Sequence, residues 1–144
     1  MKKIIIMLAI ALSSFTVFAG EGVSSKVLDA FNKEFTGAKE VQWINADEFY
    51  KASFVFNGQN VSAFYQLDGE LIAVTRNLSS LELPISLQTN LKNKYSGYWI
   101  SDLFELSNRE GTHYYITLEN ADSKVILTSD GTGKWSSFKK FAKI

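Results

Sequence analysis

The segment that most constrains the fold is Phe49–Val74, in which three short runs rich in aromatic and β-branched residues follow one another. Asn57-Gly58 separates the first two runs, and Asp68-Gly69 separates the second from the third. These dipeptides are the strongest short-range signals for β-hairpins, because their residues readily adopt the positive φ that tight turns need. The segment is therefore predicted to form an antiparallel meander of three strands.

Residue alternation in the meander separates two faces of the predicted sheet. One face is mixed in character, and the other is continuously apolar, which is typical of an antiparallel sheet with one solvated side. We expect the apolar face to lie under a helix. Its predicted members are Tyr50, Ala52, Phe54, Phe56, Val61, Ala63, Tyr65 and Leu67, joined by Ile72 and Val74 from the last strand.

The N-terminus has the three parts of a secretory signal peptide. Lys2 and Lys3 are followed by the apolar run Ile4–Ala11, and Val17-Phe18-Ala19 offers a peptidase site. The sequence predicts a signal peptide over residues 1–19, cleaved after Ala19, and hence a periplasmic or secreted protein. An uncleaved anchor is the alternative, although the apolar run is shorter than the roughly 20 residues that span a membrane.

Charge and cysteine content exclude several classes of protein. The chain of 144 residues has 15 basic and 15 acidic side chains, so loss of Lys2 and Lys3 leaves a net charge near −2. Such a balance provides no electrostatic footprint for nucleic acid. There is no cysteine, so an exported domain of this size is expected to be held together by its hydrophobic core.

Two helices are predicted, each with one apolar stripe and a glycine after its end. The first runs from Ser25 to about Phe35 before Gly37, and the second begins at Pro84 and ends before Gly97. The stripes are Val27, Leu28, Phe31 and Phe35 in the first helix, and Leu83, Leu87, Leu91 and Tyr95 in the second. The polar face of the first helix is not basic, so core packing is favoured over membrane binding.

A helix followed by four strands occurs twice, which indicates an internal duplication. The predicted domains are the signal peptide at 1–19 and two α-β4 repeats, 20–80 and 81–144, in one compact unit. The predicted fold class is α+β: two tandem α-β4 repeats in two layers, with an antiparallel sheet of about eight strands and two helices on one face.

Three structural motifs support a family resemblance. They are Phe-x-Gly-Ala-x-x-Val-x-Trp at Phe35–Trp43, the strand ending in Asp68-Gly69, and the linker Leu83-Pro84. From about Val23 to Phe141 the chain resembles the PepSY-like, β-lactamase-inhibitor-protein-like (BLIP-like) secreted domains of Bacteroidetes. The resemblance implies tandem α-β4 repeats and a role in binding or inhibiting proteins such as peptidases, and it brings no catalytic residues. Leu103 departs from the pattern, because the first repeat has Trp43 at that place.

No residue pattern in the chain supports chemistry. His113 is the only histidine, and without cysteine it cannot build a zinc site of the usual kind. No Gly-x-Ser-x-Gly nucleophile motif is present. Acidic residues such as Asp68 and Asp130 lie in turns, where Asp is favoured for its hydrogen bonds to the backbone. The sequence therefore predicts no enzyme, no metal and no cofactor.

The mixed sheet face carries the candidate partner-binding residues, because exposed aromatic side chains among polar ones are typical of binding surfaces. The candidates are Phe49, Lys51, Phe64, His113 and Tyr115. The alternative is that Phe49 and Phe64 pair across strands, which stabilises a sheet by about 0.2–1 kcal/mol per pair. The leading hypothesis is a non-catalytic exported module that binds a protein or peptide on this open face. The alternative function is a small-molecule carrier with a pocket between helices and sheet.

Overall fold

The computed structural model describes residues 17–18 and 22–144 and shows an α+β fold, with two helices and an antiparallel sheet as predicted. Most of the predicted signal peptide lies outside these residues. The helices are α1 (Ser25–Glu34) and α2 (Ile85–Lys94), with a 3-10 helix at Ser80–Glu82. The strands are β1 (Val17–Phe18), β2 (Lys39–Asn45), β3 (Phe49–Phe56), β4 (Gln59–Gln66), β5 (Leu71–Asn77), β6 (Trp99–Asn108), β7 (Gly111–Glu119), β8 (Ser123–Ser129) and β9 (Ser136–Ala142).

The strands are ordered in the sheet as they are in the chain, from β1 to β9. Short turns connect the strands within β2–β5 and within β6–β9, whereas α1 lies between β1 and β2 and α2 between β5 and β6. β1 has only two residues and pairs with β2, so Val17 lies opposite Ile44 and Phe18 opposite Trp43. Without this short strand the sheet consists of β2 to β9, which is the predicted number of about eight strands.

Among the described residues the chain divides into two compact units. Unit 1 comprises residues up to Gly58 together with Ser62–Ile72, and unit 2 comprises Gln59–Val61 and Ala73–Ile144. Each unit therefore has one helix and its own set of strands, and β4 and β5 contribute residues to both.

The core of unit 1 forms where α1 packs on its strands. Ser24 caps the helix, since its hydroxyl oxygen accepts a hydrogen bond from the Val27 backbone N–H at 3.4 Å. Phe31 on the inner stripe meets Trp43 and Phe54 edge-on, with ring centroids 5.2 and 5.0 Å apart. Burial of each such aromatic side chain stabilises the fold by about 1.5–3 kcal/mol. The predicted packing of the first helix is thus confirmed.

The core of unit 2 forms under α2. Leu83 and Leu87 of the predicted stripe are buried, and the indole N–H of Trp135 donates to the Leu87 carbonyl oxygen at 3.2 Å. The strand residues buried in the same core are Leu103, Ile116, Leu118, Val125 and Leu127. No helix in the described part of the chain is long and apolar enough to cross a membrane.

The expectation that Ile72 and Val74 share the apolar face of unit 1 is wrong by one residue. Ala73 is the buried residue of β5, whereas Ile72 packs with Phe49 and Phe64. The cause is the turn before β5, in which the Gln66 N–H donates to the Glu70 carbonyl at 2.8 Å and the Gly69 N–H donates to the Gln66 carbonyl at 3.0 Å. This wider turn shifts the register by one position, and a one-residue shift exchanges the two faces of a strand.

Candidate functional site

Two of the candidate aromatic residues, Phe49 and Phe64, form a buried pair in unit 1. Their side chains are only 5% and 4% exposed, and they pack against Ala46 and Ile72. The ring centroids lie 6.1 Å apart with an interplanar angle of 49°. The predicted exposure of these two rings is therefore wrong, and the alternative of cross-strand pairing describes what they do. The two rings and Ile72 cover one another, which removes their apolar surface from water.

Lys51 is the candidate residue of unit 1 that keeps a partly exposed side chain. Its ammonium nitrogen lies 5.7 Å from the centroid of the Phe64 ring, in the range of a cation–π contact. Ser53 and Ser62 lie on the two neighbouring strands β3 and β4, and their hydroxyl oxygens are 3.4 Å apart. The structure thus brings Phe49, Lys51 and Phe64 together, with the Lys51 ammonium group near the Phe64 ring and the Phe49 ring beside it.

Tyr115 of unit 2 is buried, with 3% of its surface exposed, so its predicted exposure is also wrong. Its ring stacks on Phe104 at 5.2 Å and meets Phe138 edge-on at 5.7 Å. Burial raises the pKa of the Tyr115 hydroxyl, while a hydrogen bond with Thr128 opposes this rise. The three aromatic rings, from β6, β7 and β9, exclude water from one another, which the alternation of a single strand does not reveal.

His113 is partly exposed and lies opposite Leu106 in the register of β6 and β7. Its Nδ1 atom is buried without a hydrogen-bond partner among the described residues. His113 and Tyr115 both belong to unit 2 and alternate to the same face of β7. The two groups of candidates are thus each assembled within one unit, and a role in binding stays a prediction for all five residues.

The structure reveals a further surface that the sequence reasoning missed, at the junction before α2. We call Ser79–Ile85 the junction. Its Leu81 and Ile85 side chains are 81% and 75% exposed. A signal was present in the sequence, because both residues are large and aliphatic yet lie off the stripe that begins with Leu83.

The junction is held in place by hydrogen bonds. The Ser79 backbone N–H donates to Glu82 Oε2 at 2.6 Å, as in a capping box. Gln88 donates through Nε2 to the carbonyl oxygens of Leu81 at 3.2 Å and Leu83 at 2.8 Å. Its two exposed aliphatic side chains are therefore presented on a constrained backbone.

A groove in unit 2 runs beside the end of α2 and has a volume of about 270 Å³. Leu91, Tyr95, Tyr98 and Ile100 line its apolar part, and Lys92 lies at its side. Pockets that enclose small-molecule ligands usually measure about 300–1,000 Å³. The groove can accept a side chain or a small apolar group more readily than a large ligand.

Ionisable groups with altered pKa values have structural explanations. Hydrogen bonds from Ser101 and Lys143 lower the pKa of Glu119, and hydrogen bonds from Thr132 lower the pKa of Asp130. Within residues 17–18 and 22–144, no three His, Cys, Asp or Glu side chains cluster so as to hold a metal ion.

Comparison with known proteins identifies the fold. No protein-family model and no curated protein matches the sequence. A BLIP-like protein from Bacteroides fragilis is 20% identical with a TM-score of 0.71, over 83% of this chain and 85% of that one. A candidate periplasmic protein from Bacteroides eggerthii is 16% identical with a TM-score of 0.75, over 83% and 88%.

A DUF2874 family protein from Bacteroides uniformis is similar to the same degree, at 16% identity and a TM-score of 0.73, over 83% of this chain and 88% of that one. None of these three proteins is described as an enzyme. The PepSY-like part of the resemblance stays a prediction. The chain has the fold of the BLIP-like and DUF2874 proteins of Bacteroides, and the BLIP-like fold is the one that its motifs predicted.

Proposed function

We propose that this protein is an exported, non-catalytic module that binds a protein or peptide. The observation that carries the proposal is the exposure of Leu81 and Ile85 on the hydrogen-bonded junction. Large aliphatic side chains held in water bring no benefit to folding, and such side chains on a constrained backbone are typical of protein contacts. The junction should lose little conformational entropy when a partner binds, because hydrogen bonds already hold its backbone.

The sheet face forms the second part of the proposal. Lys51 contacts the partner from above Phe64, and Phe49 supports Phe64 from the side. In unit 2, His113 contacts the partner beside the buried ring of Tyr115. The buried rings hold this face rigid, and the partly exposed side chains of Lys51 and His113 provide the specificity.

Export and protein binding are supported by the sequence and by the similar structures. Residues 1–19 are proposed to be a signal peptide cleaved after Ala19, and one similar protein is described as a candidate periplasmic protein. Another is described as BLIP-like, which supports the binding or inhibition of a protein, such as a peptidase, as the class of activity.

The test uses the mature chain, residues 20–144, immobilised and exposed to the envelope fraction of its own cells. The double variant Leu81→Ser/Ile85→Ser should lose capture of the partner that the unmodified chain retains. Leu67→Ser is the matched control, because Leu67 is also an exposed leucine, 49% exposed, but lies in a turn of unit 1. Equal capture by the double variant and the control, with equal melting temperatures, contradicts the role of the junction.

The sheet face is tested separately with Lys51→Ser and His113→Ser. Each substitution should weaken capture of the same partner about tenfold, the equivalent of 1.4 kcal/mol. Unchanged capture by both variants removes the sheet face from the proposal. If a variant loses capture while its melting temperature stays the same, the substitution has affected binding and not folding.

The groove beside α2 favours one alternative, a carrier of small apolar molecules. The observation that favours a carrier is the apolar lining of the groove, which includes Leu91 and Ile100. A bound ligand raises the apparent stability of the protein that binds it. A thermal-shift screen with small apolar compounds therefore tests this function, and Ile100→Trp, which fills the groove, is the matched variant. No shift with any compound contradicts it.

A further inference from the structure

β2 is the second strand of the sheet, and the short strand β1 pairs with its outer side. β1 is antiparallel to β2, with Val17 opposite Ile44 and Phe18 opposite Trp43. β1 belongs to the segment that the proposed cleavage after Ala19 removes. In the mature chain the free side of β2 therefore presents unpaired backbone N–H and C=O groups at these positions.

The opposite edge of the sheet, β9, carries features that prevent pairing with another chain. Lys139 and Lys140 are exposed on it, and its register against β8 shifts between Ile126 and Leu127. Lysine side chains and bulges are the usual means of protecting an edge strand from unwanted pairing.

β2 is protected in the same way only at its beginning. Its register against β3 shifts between Lys39 and Gln42, and Glu40 has a φ of 54°. From Trp43 to Asn45 the pairing with β3 is regular, as Trp43 opposite Ala52 shows. This half of β2 has no charged side chain and no bulge, so its free side can pair with a further strand.

The backbone of this half is also fixed. The Trp43 side chain is buried and meets Phe31 edge-on at 5.2 Å, which anchors the strand to α1. A fixed acceptor strand loses little conformational entropy when another strand pairs with it. Strand addition to an exposed edge is an established mode of peptide recognition, in which main-chain hydrogen bonds supply affinity.

We infer that the Trp43–Asn45 half of β2 is a docking edge for an extended segment of a partner protein, which pairs antiparallel to β2. The partner is apolar at the two paired positions, because the strand that occupies this edge in the structure has the sequence Val-Phe. The inference rests on the proposed export and cleavage after Ala19, and it adds a second mode of contact to the proposed binding function.

The experiment uses the mature chain, residues 20–144, and a synthetic peptide with the sequence of residues 13–20 as the probe. Saturating peptide should slow amide hydrogen exchange on the free side of β2 about tenfold, since exchange reports the opening of backbone hydrogen bonds. Amides of β9 are the internal control and should not change. The matched control peptide is N-methylated at the Val and Phe positions, so it keeps the side chains but loses both hydrogen-bond donors.

Protection by the plain peptide but not by the N-methylated one supports the inference. Protection by both peptides, protection at β9, or no protection at saturation overturns it. The variant Ile44→Lys introduces a lysine on β2, which is the kind of residue that protects β9. This variant should weaken peptide binding about tenfold, or 1.4 kcal/mol. Concentration-dependent dimers of the mature chain that disappear in Ile44→Lys would instead assign the edge to a second copy and overturn it. The proposed function is tested separately, by partner capture that depends on Leu81. If the peptide does not bind β2, the proposed function is therefore not contradicted.

Discussion

The rings of Phe49 and Phe64 lie 6.1 Å apart at an angle of 49°, and both are almost completely buried. On the face of the sheet away from α1, these two rings and Ile72 form a small hydrophobic cluster of their own. The pair stabilises unit 1 in addition to supporting Lys51, so a substitution here reports on folding as well as on binding.

Replacement of Phe64 by Ala should lower the free energy of unfolding by about 3–5 kcal/mol, the usual cost of truncating a buried Phe. Denaturation by urea measures this change. Lys51→Ala is the control, because the contact of the Lys51 ammonium with the Phe64 ring is a cation–π contact worth about 0.5–1 kcal/mol. A loss below about 1 kcal/mol for Phe64→Ala would mean that the ring is not packed as the structure shows.

Much of the fold could be predicted from the sequence, since hairpin dipeptides and helical stripes act locally. Burial of Phe64 and Tyr115 could not, because it depends on rings from other strands, such as Phe49 and Phe104. Alternation along one strand separates faces without showing which face is covered. The exposed Leu81 was missed for a related reason, since it lies in a short 3-10 helix outside the apolar stripe that the helical periodicity identifies.

Gly69 should tolerate no side chain, for two independent reasons. Its φ is 95°, and a Cβ atom would lie 3.1 Å from the backbone oxygen of Lys26. Gly69→Ala should therefore cost about 1–3 kcal/mol, as left-handed strain and a backbone clash combine. Gly58→Ala is the matched control, because Gly58 has a φ of 77° but no atom within 4 Å of the added Cβ.

The two glycine variants are compared by thermal unfolding of the mature chain. If Gly69→Ala lowers the stability more than Gly58→Ala does, the difference measures the effect of the close approach to α1. Equal losses would show that strain alone accounts for both, and that the turn before β5 moves away from Lys26 at little cost.

Arg76 and Glu105 form a bidentate ion pair, with Nε–Oε1 at 2.9 Å and Nη2–Oε2 at 3.1 Å. The Arg76 side chain is 39% exposed, so water screens the pair. A double-mutant cycle with Arg76→Met and Glu105→Gln should give a coupling energy of about 0.2–1 kcal/mol. The coupling should decrease in 1 M salt, where the Debye length is about 3 Å. A coupling that does not respond to salt would assign the effect to packing.

Asp130 links stability to acid pH through the turn that follows β8. Hydrogen bonds from the Thr132 hydroxyl and backbone N–H hold its folded pKa below the ordinary value of 3.8. A carboxyl group with a lowered folded pKa stabilises the fold fully above its unfolded pKa, and the contribution disappears as the pH falls through the folded pKa. This contribution is therefore complete at neutral pH and is lost below about pH 4.

Asp130→Asn should consequently make the loss of stability below about pH 4 less steep, because one fewer carboxylate is protonated on unfolding. Urea denaturation at a series of pH values measures the slope. Thr132→Val keeps the carboxylate but removes the hydroxyl donor, so the Asp130 pKa, followed by NMR, should rise toward 3.8 in that variant. An Asp130 pKa that does not move in Thr132→Val, together with an unchanged slope in Asp130→Asn, would contradict the role of this turn.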